Sequence, residues 1–237
     1  MSSGGSKAFD IDGPFMHVLE TIFHLWVLNI ITIICCIPII TAGAALTAMQ
    51  HQLYLIAKKE DGYVVRGYFK DFASNFKRST PAGLIMVAAG AALGIDAYIF
   101  MNKVGTTAYS AWYKCGIVAL ILLYLFVFVY LFPVLARYES SLGLAFKNAL
   151  FMAVYKLPKS ILMIVIFALP WVLTAFVANF WIWDILFGLS LPAFANVYLI
   201  KGTFEAFEKN QKEKSGEKNE SSEDIAKEAG EDTTEEE

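Results

Sequence analysis

Residues 26–49, WVLNIITIICCIPIITAGAALTAM, contain no charged side chain and a single proline, Pro38. Taken to its apolar limits the run extends from Phe15 to Ala57, well beyond the ~20 residues that carry a helix across a hydrocarbon core. A proline inside a helix removes a backbone hydrogen bond and collides with the preceding turn. The run therefore predicts two helices jointed at Pro38, the first spanning Phe15 to Ile37 and the second beginning near Thr41, which offers an N-cap hydroxyl. Ala42, Gly43, Ala44, Ala45 and Ala48 give the second helix a face that a neighbour can approach closely. Gln50, His51 and Gln52 oblige its far half to face protein or water.

The rest of the chain repeats this theme. Apolar runs at Ala82 to Met101, after the loop Asn102 to Trp112 as far as Phe132 or a little beyond, Ser160 to Ala178 and Ile182 to Ile200 each have spanning length. Across all 237 residues, 57% are hydrophobic and 17% charged, with mean hydropathy +0.53. That balance lies outside the soluble range and predicts an all-α, polytopic transmembrane helical bundle in a lipid bilayer. Six spans are expected, or five if Phe15 to Ala57 is one crossing followed by a surface helix. The domain reading is a mobile leader over 1–14, a helical membrane domain over 15–204 and an acidic disordered tail over 205–237. From Glu205 onward there are 13 acidic and 5 basic residues, so a tail of net −8 hides a membrane part of net +5. The tail lacks the apolar surface needed to fold alone. The leader is polar and acidic, unlike a cleavable secretory signal.

Charge sets the expected orientation. The segments 58–81 and 136–159 hold ten Lys and Arg, against Lys103 and Lys114 on the opposite side. Cytoplasmic loops carry this excess, so both basic segments are expected to face the cytoplasm. With six spans both termini do as well; with five, the amino terminus is outside. Val65, Phe69, Phe72 and Phe76 recur at helical spacing in the first segment, and Leu142, Phe146, Ala149 and Ala153 in the second. Both stripes predict cytoplasmic amphipathic helices at the membrane surface. A weak internal repeat and a chance likeness between two such segments both account for the parallel. In the third apolar run, Gly90 and Gly94 stand in GxxxG register and predict close packing against another helix.

Three motif stretches, LWVLNIITIICCIPIITAGAALTAM (25–49), KKEDGYVVRGYFKDFASNFKRST (58–80) and YLFPVLARYESSLGLAFKNALFMAVYKLP (130–158), together resemble the YesL family. The likeness covers roughly residues 15–200 and excludes the acidic tail. It implies a multi-pass bacterial membrane domain of unknown activity, often associated with carbohydrate uptake systems of the ABC type. It implies no catalytic residues.

Asp96 is the acid set deepest in any predicted span, about 6 Å past the middle of the third helix. An intramembrane carboxylate is costly without a partner or water, so Asp96 is the first candidate for a functional polar site, such as the ion site of a small secondary transporter or channel. Structural hydrogen bonding between helices is its bland alternative. Asn29, Thr32 and Cys36 share a helical face, and Gln50, His51 and Asn196 can meet them from other helices to line a small polar cavity for a sugar-like or amide-bearing ligand. The candidate intramembrane site is therefore Asp96, Asn29, His51 and Asn196. Interhelical bonding without a ligand is the commoner use of such residues. His17, Glu20 and His24 fall on one helical face but form no recognised metal signature, and no metal or other cofactor is expected. Asp184 sits at a membrane edge. The three cysteines form no disulfide framework. The sequence lacks the nucleotide-binding motif GxxxxGK[ST] and the serine elbow GxSxG, and its basic segments lack the form of a nucleic-acid surface. The expected protein is non-enzymatic, an accessory or assembly partner of a carbohydrate uptake or sensing system, with components of such a transporter as partners and no nucleic acid.

Overall fold

The structure is a computed structural model that describes residues 14–60, 62–103, 109–138, 141–176, 181–202 and 204. The expected leader up to residue 13, the middle of the loop before Trp112, the Asn179–Phe180 turn and the acidic tail lie outside the described residues. The chain divides into two compact units, Met1–Val197 and Tyr198–Glu237. In the second, residues 198–202 are helical. The first holds the helices and polar contacts on which the candidate site depends.

Among the described residues every regular element is a helix. In order these are α1 (Pro14–Cys36), α2 (Ala42–Lys58), α3 (Val64–Lys103), α4 (Tyr109–Arg137), α5 (Leu142–Tyr155), α6 (Leu157–Phe176) and α7 (Trp181–Phe187), followed by α8 from residue 190. Among the described residues four segments are long and apolar enough to cross a membrane: Phe15–Cys36, Val64–Phe100, Trp112–Arg137 and Leu157–Phe176.

The joint at Pro38 is present. Pro38 is extended (φ −76°, ψ 116°), and one 3-10 turn, Ile39–Thr41, leads into α2. Thr41 acts differently from the expected N-cap, making no side-chain bond to the start of α2. Its hydroxyl points backwards to the Cys35 carbonyl at 2.6 Å, with the Pro38 carbonyl at 2.8 Å. It thus serves carbonyls that Pro38 and the chain reversal release from α1.

Residues 64–103 depart most from the expected pattern. Instead of a surface helix, a loop and a span, they form one 40-residue helix with Pro81 inside it. At ~1.5 Å per residue this helix is ~60 Å long, about twice the ~30 Å of a hydrocarbon core. The missing Pro81 amide leaves the carbonyl of Lys77 without its helical donor, and Lys77 is exposed.

Helix α2 lies antiparallel along the first part of α3. A β-carbon on Gly43 would stand 2.1 Å from the Ser79 carbonyl oxygen and 2.9 Å from the Gly83 Cα, and one on Gly83 would stand 2.5 Å from the Gly43 Cα. The two backbones touch there because neither residue carries a side chain. The expected GxxxG contact is placed elsewhere: Gly94 has nothing within 4 Å of its would-be β-carbon, while Gly90 makes room for the Tyr124 hydroxyl of α4. Further along the pair, Leu25 and Leu28 of α1 join Met49, Leu53 and Ile56 of α2 and Val64 and Tyr68 of α3 in a core completed by Ala193 and Val197.

The second basic segment folds differently from the first, so the two segments do not repeat one another in helix continuity. Helix α5 buries Ala145, Ala149, Met152 and Ala153. It ends at Lys156, and α6 starts afresh with Pro158 in its first turn, where a proline costs no hydrogen bond. Ser160 reaches back across this break to the Ala153 carbonyl (2.8 Å) and meets the Tyr130 hydroxyl at 3.0 Å.

The last apolar run is also broken. Residues 188 and 189 form a turn between α7 and α8. Gly188 ends α7, and Pro192 falls in the first turn of α8, the usual glycine-out, proline-in order of a helix boundary.

Candidate functional site

The candidate polar residues do not gather into one cavity. Asn29, fully buried on α1, is committed to the α7–α8 break. Its Nδ2 donates to the Ile185 carbonyl (2.7 Å), while its Oδ1 accepts from the Leu189 amide (3.0 Å) and the Ser190 amide (2.9 Å). One carboxamide thereby serves the carboxyl end of one helix and the amino end of the next, where backbone groups are left over. Beside it Asp184 bonds the Thr174 hydroxyl of α6 through Oδ2, a structural role that its position at a membrane edge did not reveal.

His51 is committed as well. Its Nδ1 lies 2.6 Å from Asp71 Oδ2, and the same oxygen accepts from Gln52 Nε2 at 2.6 Å. An ionised carboxylate only accepts, so His51 carries its proton on Nδ1. Gly67 admits the Gln52 amide, since a β-carbon there would stand 2.7 Å from Nε2. This triad holds the charged half of α3 to α2.

Gln50 and Asn196 do line a common cleft, with Leu46, Met49, Phe128, Val129, Phe132 and Phe167. Asn196 is 4% exposed; its Nδ2 donates to the Met163 carbonyl (3.3 Å) and its Oδ1 is buried without a protein donor. The enclosed volume is about 20 Å³, which holds one water-sized group and falls far short of a sugar ring.

Asp96, on α3, links to α4, its Oδ1 accepting from the Tyr113 hydroxyl at 2.5 Å. The contact is exposed, and the Tyr113 ring packs on Phe100 at 5.3 Å. Asp96 is not among the residues lining the Gln50–Asn196 cleft. His17 and Glu20 stand 4.0 Å apart on an exposed face of α1. Among the described residues no three His, Cys, Asp or Glu side chains are placed to share a metal ion.

A further constellation escaped the sequence reading because its members passed as loop charges. At the end of α2 the Tyr54 ring carries Lys58 Nζ 5.0 Å from its centroid and the Arg137 guanidinium at 4.8 Å, and Arg137 also donates to the Tyr54 hydroxyl. Arg78 of α3 donates to the Leu135 carbonyl (2.6 Å), in the last turn of α4, and to Asn75 Oδ1 (3.2 Å). The only sequence signal for this cluster is that Arg78 and Arg137 stand where the apolar runs of α3 and α4 begin and end.

Fold and site together define a multi-helix chain of membrane-protein character, cross-braced by buried amides and a His–Gln–Asp triad. The model of a family described as a protein of unknown function, DUF624, matches residues 22–97, from within α1 through most of α3. The chain is similar to that family over this stretch, which contains Asn29, the Pro38 joint, the triad and Asp96. No curated protein and no solved structure matches it.

Proposed function

We propose that the protein crosses the bacterial plasma membrane five times and serves, without chemistry of its own, as an accessory or assembly partner of a carbohydrate uptake or sensing system. The observation that carries this reading is the packing of α2 along residues 64–83 of α3. That part of α3 bears Arg66, Lys70, Asp71, Lys77 and Arg78, charges too costly for the hydrocarbon. Helix α2 shares their depth, which favours five crossings over six: α1, the apolar half of α3, α4, α6 and the broken α7–α8. The amino terminus is then outside, and α2, the start of α3 and α5 form a helical platform on the cytoplasmic side. Tyr63, 88% exposed, and the half-exposed Phe69 stand on that platform among Lys59, Arg66 and Lys70, a surface suited to docking. The carbohydrate part of the proposal rests on the resemblance to the YesL family.

Two experiments test it. With Cys35, Cys36 and Cys115 replaced, Ser6→Cys is expected to react with a membrane-impermeant thiol reagent added outside intact cells; protection until lysis would restore the six-crossing arrangement. A photoreactive side chain at Tyr63 or Phe69 is expected to cross-link, in living cells, to a subunit of a carbohydrate uptake or sensing complex. Adducts with lipid alone at both positions would overturn the accessory role.

A further inference from the structure

We propose that the junction of the last turn of α2, α3 at Arg78 and the last turn of α4 is a binding site for one phosphate group, presented by an anionic phospholipid of the cytoplasmic leaflet. Three cations converge there. Lys58 and Arg137 share the Tyr54 ring, and Arg78 is tied to the Leu135 carbonyl two residues before Arg137. Among the described residues, Glu60 lies 3.9 Å from Lys58, and the Asp71 carboxylate is taken by His51 and Gln52. The carboxyl end of α4 supplies only about half a negative charge. Arg78 makes no ion pair among the described residues; its bonds to Leu135 and Asn75 go to a neutral carbonyl and a neutral amide, and its Nε is buried without an acceptor. A buried guanidinium N–H without a partner is costly, and a phosphate oxygen is the acceptor whose geometry a guanidinium matches best.

Depth identifies the bearer of the phosphate. Arg78 stands four residues before Ala82, where the apolar half of α3 begins, and Arg137 ends the apolar α4. Tyr54, an amphipathic ring of the type that favours the headgroup level, lies against Arg137. Basic pockets between helices on the cytoplasmic side take lipid headgroups in this way. The site does not depend on the docking role proposed above.

Native mass spectrometry of the full chain, released from mixed phosphatidylglycerol and phosphatidylcholine vesicles, tests the site. The wild type is expected to retain one phosphatidylglycerol in preference to phosphatidylcholine. Arg78→Gln should weaken that retention roughly tenfold, as expected for losing a charge-assisted contact. Arg78→Lys should recover part of it, and Lys147→Gln, an exposed change on α5, should leave it intact. If Arg78→Gln unfolds in detergent, Lys58→Gln reads the same site through a partly exposed side chain. Displacement of the lipid by millimolar glycerol phosphate would support the phosphate subsite and show that a soluble ester can also fill it; persistence of the lipid would support the membrane source alone. Equal retention of the two lipids by the wild type, or unchanged retention in both the Arg78→Gln and Lys58→Gln variants, would overturn the proposal.

Discussion

Pro81 and Pro192 each invite a helix break, the first at a polar-to-apolar boundary and the second inside an apolar run, yet α3 runs through Pro81 while the last apolar run is broken just before Pro192. The difference lies in what each neighbourhood offers the freed backbone groups. At Pro81 the orphaned carbonyl belongs to Lys77, an exposed residue, and the turn beyond it is gripped by the Gly43–Gly83 contact. Before Pro192 stands Gly188, and Asn29 arrives from α1 with a donor and an acceptor placed to satisfy both sides of a gap. Helix continuity here is decided by tertiary partners, with proline as only one contributor.

That comparison can be broken in graded ways. Asn29→Leu is expected to have the largest effect. It leaves a part-buried carbonyl and two amides, one of them buried, unserved at about 1–3 kcal/mol each when no water replaces the amide, so a loss of about 3 kcal/mol should appear as a marked fall in thermal stability in detergent. Gly43→Ala comes next, at about 2–3 kcal/mol, because the β-carbon meets backbone and not a flexible side chain. Gly94→Ala is its control, with open space around it and a gain of up to about 1 kcal/mol from helix propensity. Asp71→Ala should cost about 2 kcal/mol by stranding the buried Gln52 amide, and protease sensitivity should rise first near residues 58–64. Pro81→Ala should have the smallest effect, within about 1 kcal/mol and on the stabilising side, since it restores one amide to a helix that is already continuous.

The joint at Pro38 was legible in the sequence because proline and the excessive length of the apolar run agreed. The close face of α2 was equally legible from Gly43 and its alanines. The α7–α8 break carried a readable sign, Gly188 followed four residues later by Pro192, but uniform hydrophobicity across 182–200 masked it. The commitment of Asn29 to that break could not be read at all, since its partners lie some 160 positions away. His51 and Asn196 looked like members of one cavity because helical spacing fixes a face and not a neighbour. The structure assigns His51 to Asp71 and Asn196 to the Met163 carbonyl. Asp96 was singled out for its depth along the helix, whereas its environment is set by Tyr113, contributed by the next helix across a loop.

The continuity of α3 is tested most directly by the distance between spin labels at Arg66→Cys and Ile99→Cys, both exposed positions, in a variant lacking Cys35, Cys36 and Cys115. One helix through Pro81 places the labels ~45–50 Å apart across their 33-residue separation. A narrow distribution in that range is the expected result. A distribution centred near ~35 Å, as for two helices meeting at about a right angle at Pro81, would contradict it.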